Sequence, residues 1–291
     1  MSKKSSALAA AGILAAAVVL SGFSIYKDSH QKNSTDGTIT LRMAQTSSQA
    51  GAIGQSMEAF ADRIYDETEG KYKIETYHNG QLGAEIDTIE GCQMGTIDIA
   101  VVNQSTIGNF INDFQALDIP YLITSTEQAD AVFLGDIGTR FLDKLSGVQL
   151  YGLGIWESGF RNLTNSKRDV NSVDDVAGLK IRTMENSYHM DFWKKLKASP
   201  TPMSFSEVYI GLQQGTIDAQ ENPYEVIVSN KLYEQQDYVV ETNHLPHLIS
   251  LIVNDDFFKD LPENEQEIMT EAAQLATEYA REQSDARIAD K

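Results

Sequence analysis

The chain has 291 residues, 42% of them hydrophobic and 22% charged, which suits one large domain or two modest ones and does not suit a disordered segment. A formal net charge of −19 excludes nucleic acid and anionic lipid surfaces as partners, since both need a basic face, and means that any anionic ligand must be met by cations gathered locally. The single cysteine, Cys92, excludes a disulfide framework or a thiolate zinc site within the chain, and its surroundings read as a buried helical thiol.

The N-terminus carries Lys3 and Lys4 and then an apolar run from Ala7 to Leu20. That run is short of the ~18 residues a membrane span requires. Residues 1–22 therefore read as a secretory signal peptide or anchor, and residues 23–37 as a polar tether. Leu20-Ser21-Gly22 looks like the start of a lipoprotein cleavage box, but Phe23 stands where that box needs cysteine. The expected location is outside the cytoplasmic membrane.

Past the tether, Thr38 to Ala44 alternates as a strand does. Ile53, Met57, Phe60, Ala61 and Ile64 recur at helical spacing, with Gly70 as a stop. Tyr72 to Tyr77 is a second strand, Glu85 to Met94 a helix closed by Gly95, and Ile97 to Val102 a third strand. This order is that of a parallel βαβ sheet. A helix is expected over Ala129 to Leu145, a strand over Val148 to Ile155, and a helical turn at Asp174 to Ala177. Leu179 to Thr183 reads as a strand, and Asn186 as the cap of a helix through Leu196. Ser204 and Glu207 form a capping box for the helix that stops at Gly215. Thr216 to Gln220 and Leu248 to Val253 are expected strands, Tyr224 to Gln236 a helix, and Pro262 to about Asp290 one long helix.

Two stretches nearly coincide. GCQMGTIDIA (91–100) and GLQQGTIDAQ (211–220) share six of ten residues at an offset of 120. Each stops a helix at glycine and enters a strand through Thr-Ile-Asp. A common connector used twice would look the same. The corresponding helix and strand ahead of each copy favour two similar α/β lobes. Ligands of open α/β sheets sit beyond the carboxyl ends of strands. That places Asn103 and Asn222 at a shared cleft, where both amides can donate and accept.

Arg182 lies in an apolar strand, LKIRT, and Arg161 follows another. A buried guanidinium needs a counter-charge, and the residues alone leave open whether a protein carboxylate or an anionic ligand supplies it. Two such arginines in one half raise the prospect of an anion site, since the guanidinium fork fits a carboxylate. Catalytic patterns are absent: there is no G-x-S-x-G elbow, P-loop or G-x-G-x-x-G. No cofactor or metal is expected. His244-Leu-Pro-His247 reads as a loop with two polar residues, His78 as a turn residue, Trp193 as core, and Trp156 as core or pocket wall.

The stretch PTPMSFSEVYIGLQQGTIDAQENP (200–223), preceded by GLKIRTMEN (178–186), strongly resembles the solute-binding proteins of tripartite ATP-independent periplasmic (TRAP) transporters, the DctP family. YHNGQLGAEIDTIEGCQMGTIDIA (77–100) and LDIPYL (117–122) match the family's first lobe, and the likeness runs from about Thr38 to Lys291. The resemblance implies a two-lobed α/β binding-protein fold, each lobe a mixed sheet flanked by helices, with a hinge and a central cleft. Lobe I is expected over 38–156 plus 249–291 and lobe II over 157–248, with crossings near Glu157 and Leu248. By position, Arg182 would make the main salt bridge to a ligand carboxylate and Arg161 the second cationic contact. Asn222 would hydrogen-bond the ligand, Phe205 would pack on it, and Gln45, Glu85 and Asn103 would line the first lobe's side.

The chain departs from the family in its first loop, AQTSSQAGAIG, which lacks a histidine many relatives carry, and in Ala219, where glycine is commoner. The family usually continues past the equivalent of Lys291 with a further strand and helix. The implied function is capture of a small organic acid for an ion-gradient-driven membrane permease, with no chemistry on the ligand. A sugar acid such as a uronate is favoured, because Gln45, Glu85 and Asn103 supply no cation for a second carboxylate. A C4-dicarboxylate receptor, or a receptor serving a signalling partner, is the alternative.

Overall fold

The computed structural model describes residues 37–289; the leader and nearly all of the tether lie outside the described residues. The first βαβ run is β1 (Ile39–Ala44), α1 (Ala52–Glu67), β2 (Tyr72–Tyr77), α2 (Glu85–Gln93) and β3 (Ile99–Asn103). Short α3 (Gln104–Ile107) and a 3-10 segment (Asn112–Asp118) follow, then α4 (Thr126–Phe133), α5 (Asp136–Asp143) and β4 (Leu150–Phe160). β5 (Asn162–Asn165) opens a second run: β6 (Lys180–Thr183), α6 (Ser187–Lys195), β7 (Ser199–Pro202), α7 (Val208–Gln214) and β8 (Ala219–Asn222). The chain closes with α8 (Tyr224–Ser229), β9 (Tyr238–Val240), β10 (Pro246–Asn254), α9 (Asp255–Asp260) and α10 (Glu263–Ala289).

These strands form two five-stranded sheets, ordered β2-β1-β3-β10-β4 and β7-β6-β8-β5-β9. The three leading strands of each are parallel, and the fourth is antiparallel to both its neighbours. The fold is thus two lobes of one plan. Strands β4 and β10 run side by side from the first sheet toward the second, with Glu157 opposite Leu248 and a register shift before Phe160 meets Pro246.

The repeated sequence has a mechanical explanation. Gly95 and Gly215 sit at φ +69° and +67°, a left-handed turn that favours glycine. Gly91 and Gly211 lie under the isoleucine of each copy: a Cβ there would come within 2.9 Å of Ile97 or 3.2 Å of Ile217. The threonine hydroxyls each donate to those glycine carbonyls at 3.1 Å. Each aspartate then clamps the neighbouring parallel strand. Asp98 accepts from the Arg42 amide at 2.7 Å and Asp218 from the Lys180 amide at 3.1 Å. Each named residue of G-x-x-x-G-T-I-D has the same task in both copies, and the matching sheet orders around them fit two lobes of one plan.

The α1 stripe of Ile53, Met57, Phe60, Ala61 and Ile64 is buried against Leu41, Met43, Ile99 and Val101. From the other side it meets Met269, Ala272, Ala273, Ala276 and Ala280 of α10, whose small residues let the long helix lie close. Cys92 and Trp193 are buried as expected. Trp156 is core of the first lobe rather than pocket wall.

Several expectations need correction. The helix expected over Ala129–Leu145 is two helices, broken at Leu134-Gly135, with Gly135 as the cap of the second. The helix from Tyr224 stops at Ser229; Lys231 is left-handed at φ 55° and a 3-10 turn follows. Residues Thr216–Asp218 belong to the connector, so β8 starts at Ala219. β4 extends five residues further than Ile155. Strands β5, β7 and β9 were not expected from the pattern.

Candidate functional site

A cleft between the two sheets encloses about 420 Å³ of empty space, its mouth included. All seven residues singled out from the sequence line it: Gln45, Glu85 and Asn103 from the first lobe, and Arg161, Arg182, Phe205 and Asn222 from the second. The topology explains the convergence. Gln45 follows β1, Asn103 ends β3, Arg182 is the penultimate residue of β6 and Asn222 ends β8, so the cleft lies at the carboxyl ends of parallel strands from both lobes. Glu85 and Phe205, 120 residues apart, open the corresponding helical segments.

The two arginines differ in kind. Arg161 is buried and already paired: Nε donates to Glu221 Oε2 at 2.5 Å, and Nη2 to Glu221 Oε1 at 3.0 Å and to its carbonyl oxygen at 2.5 Å. Its Nη1 is buried without a partner. Arg182 is 3% exposed, and its Nε and Nη2 both donate to the Met203 carbonyl, at 3.1 and 2.8 Å. Among the described residues no carboxylate comes within ion-pair distance of it. Its guanidinium carbon lies 5.7 Å from the Phe205 ring centre, a cation–π contact that supplies no counter-charge. Burial, with the Arg161 charge adding to it, pulls Arg182 down to about 10, so it remains cationic at neutral pH. Arg161 thus has a protein counter-charge, and Arg182 has none among the described residues.

Glu221 is the buried hub. It also accepts from His244 Nε2 at 3.1 Å. Burial alone would raise its carboxyl, yet the Arg161 charge and the hydrogen bonds from His244 and Arg161 hold it well below the usual range. His247 also lines the cleft, with its Nδ1 buried and unpartnered. Burial and the Arg161 charge push it well below its usual value, so it is a neutral imidazole at pH 7. His244 and His247 are therefore interior residues at the entry to β10, not polar loop residues. Their apolar setting (Leu245, Leu248 and Ile249) was the available signal. His78, read as a turn residue, is likewise buried.

The first-lobe wall comprises Gln45, Thr46, Ser47, Ile53, Glu85, Val101, Asn103 and Ile249, with no Lys or Arg among them. Both Glu85 oxygens are engaged, by the Asn103 amide at 3.0 Å and the Thr106 hydroxyl at 2.6 Å. Several contacts bridge the lobes, two of them through buried carboxylates. Buried Asp118 accepts from Ser105 Oγ of its own lobe, and from Asn186 Nδ2 at 2.8 Å and His189 Nε2 at 3.2 Å on the other. Glu225 Oε1 accepts from the Ala52 amide at 2.9 Å and so caps α1 from the opposite lobe.

Two lobes of one plan on either side of a polar cleft, with a buried cation that has no carboxylate partner among the described residues, are the architecture of a solute-binding receptor. The family model for bacterial extracellular solute-binding proteins, family 7 (DctP), matches residues 43–290, and the chain belongs to that family. Its members are receptors of TRAP transporters and not enzymes. A solute-binding protein of Verminephrobacter eiseniae is 36% identical over 246 residues, 84% of this chain and 73% of that protein. The sugar acid binding protein DctPAm of Advenella mimigardefordensis, solved with galactonate, superimposes with TM-score 0.84 at 32% identity, covering 86% of this chain and 80% of that one. A TRAP solute-binding protein of Sulfurospirillum deleyianum, solved with succinate, gives TM-score 0.82 at 28% identity over 86% and 81%.

Proposed function

We propose that this chain is an extracytoplasmic receptor that captures a small organic acid, a sugar acid in preference to a dicarboxylate, and delivers it to the membrane subunits of a TRAP permease. The observation that carries the proposal is Arg182: a buried guanidinium whose only hydrogen bonds among the described residues go to a main-chain carbonyl. A ligand carboxylate supplies the missing charge, and Arg161 Nη1 is a second donor toward it. Asn222, Phe205, Asn103, Glu85 and Gln45 surround the rest of the molecule.

The preference for a sugar acid rests on the first-lobe wall. A dicarboxylate would put its second charge against residues that offer no cation, with the Glu85 carboxylate among them. Hydroxyl groups suit that wall better. Export by residues 1–22 belongs to the same reading, as does the division into lobe I (38–156 plus 249–291) and lobe II (157–248). The side-by-side passage of β4 and β10 at Glu157 and Leu248 suits a hinge, and the Asp118 and Glu225 contacts suit a closed state.

A thermal-shift screen of organic acids tests the proposal, with Arg182→Ala as control. A sugar acid should raise the melting temperature of the parent chain and leave the variant unmoved. A full shift in the variant rejects the assignment.

A further inference from the structure

Gln45 is tied into a relay running away from the cleft. Its Nε2 lies 2.8 Å from His78 Nδ1, and His78 Nε2 lies 2.8 Å from Glu58 Oε1. Glu58 Oε1 also accepts from Thr76 Oγ1 at 2.9 Å and from Gln49 Nε2 at 3.0 Å. Burial acts to raise the Glu58 carboxyl, but the hydrogen bonds from His78, Thr76 and Gln49 hold it below its ordinary value. An ionised carboxylate can only accept, so His78 must donate to it through Nε2. In neutral imidazole Nδ1 is then an acceptor. Gln45 can satisfy that acceptor only with its Nε2, and its carbonyl oxygen, without a protein partner among the described residues, is left for the cleft it lines.

Asn222 is oriented in the same sense from the other lobe. Its Nδ2 donates to Gln220 Oε1 at 2.6 Å, and Gln220 Nε2 donates onward to Thr164 Oγ1 at 2.8 Å. The Asn222 carbonyl oxygen is therefore also left for the cleft. Two amides that could each have turned either end toward a ligand are fixed with the oxygen on the cleft side. A hydroxyl can donate to them, whereas an ionised second carboxylate cannot.

We infer that His78 and Glu58 are positioning residues for ligand choice: they lock the Gln45 amide with its oxygen in the cleft and so make the receptor select a hydroxyl group over a second carboxylate. This rests on the acid-receptor reading above and adds to it two residues, one behind the other, that need not touch the ligand. Their effect passes through Gln45, so removing them should change discrimination between ligands and not the grip on the shared acid group.

The test is calorimetric titration of the purified chain with D-galactonate, D-glucuronate and succinate. The variants are Gln45→Met, His78→Leu and the double change, with Glu58→Gln as the conservative replacement that still offers His78 an acceptor. Gln45→Met and His78→Leu should each weaken the better-bound sugar acid by about tenfold or more and lower the sugar-acid-to-succinate ratio, with His78→Leu leaving succinate within about twofold. The double change should lose no more than Gln45→Met alone, and Glu58→Gln should retain most of the preference. Equal losses for both ligand classes in His78→Leu, or additive losses in the double change, overturn the inference and leave the acid receptor standing. Should His78→Leu not fold, Gln45→Met and Glu58→Gln decide: an unchanged sugar-acid-to-succinate ratio in Gln45→Met overturns it. If none of the three acids binds the parent chain while Arg182→Ala behaves identically, the receptor reading fails and this inference falls with it.

Discussion

Arg161 and Glu221 face each other in a buried fork, Nε to Oε2 at 2.5 Å and Nη2 to Oε1 at 3.0 Å, with neither side chain more than 2% exposed. A protein carboxylate thus already neutralises one of the two cleft arginines. The other, Arg182, lines the cleft with no carboxylate partner among the described residues. This asymmetry separates structural cost from ligand affinity, and it sets opposite expectations for the two residues.

Arg161→Met should destabilise the ligand-free protein by about 3–5 kcal/mol, because it leaves the Glu221 carboxylate buried and unpaired. Adding Glu221→Gln should restore most of the loss. Urea unfolding of the single and double variants measures both, and equal stability of parent and Arg161→Met contradicts the pairing described here.

Arg182→Ala should do the reverse. Burial of this cation, with no counter-ion among the described residues, already opposes folding, so the ligand-free variant should unfold within about 1 kcal/mol of the parent or later. Affinity for the bound acid should fall by at least about a hundredfold, the scale of two lost charged hydrogen bonds. Arg182→Lys should recover only part of it, since an ammonium cannot form the fork. Calorimetry beside urea unfolding checks the two halves independently.

The interior histidines and Glu221 predict the pH response. His247 titrates well below 6.5 in the folded chain and at about 6.5 when unfolded, so the unfolded chain binds more protons between those values. Its contribution is fully present above pH 6.5 and is lost as pH falls from there. His244, also lowered chiefly by burial, acts in the same direction. Glu221, depressed below 4.5, contributes fully above pH 4.5 and loses that contribution as pH drops further toward its folded value. The melting temperature should be level from pH 7 to 8, decline from about 6.5, and fall faster below about 4.5. His247→Gln should flatten the first decline, and a melting temperature that rises on acidification from pH 7 contradicts the assignment.

Asn186→Asp isolates lobe closure. The Asn186 Oδ1 caps α6 by accepting from the Tyr188 and His189 amides, a task aspartate performs equally well. Its Nδ2 crosses to Ser105 O and Asp118, and aspartate there sets two carboxylates against each other. Affinity should drop about tenfold while far-ultraviolet circular dichroism stays unchanged. Small-angle scattering should show the liganded variant more expanded than the liganded parent, and identical scattering curves would remove Asp118 and Asn186 from the closure contact.

Sequence periodicity revealed the elements with clear punctuation: the α1 stripe, the helix-stopping glycines, the Ser204–Glu207 box and the long α10. The twofold plan was legible from one repeated octet, because each of its conserved positions has a fixed mechanical role. Strand β7 was hidden because SPTP has two prolines; it pairs on one side only, at a sheet edge where missing amides cost nothing. Strand β5, NLTN, was hidden because it is short and three of its four buried residues are polar, so no apolar alternation marks it. Glu221, His244 and the Gln45–His78–Glu58 relay could not be read, since their partners are 23, 33 and 20 residues away and only the tertiary fold brings them together. Whether Arg161 or Arg182 had a protein counter-ion was undecidable for the same reason.

The most direct measurement is a crystal structure of the chain grown with D-galactonate. The account predicts the ligand carboxylate within hydrogen-bond distance of the Arg182 guanidinium and of Arg161 Nη1, with the Arg161–Glu221 fork intact. Galactonate lodged elsewhere, with Arg182 still bound only to the Met203 carbonyl, would contradict it.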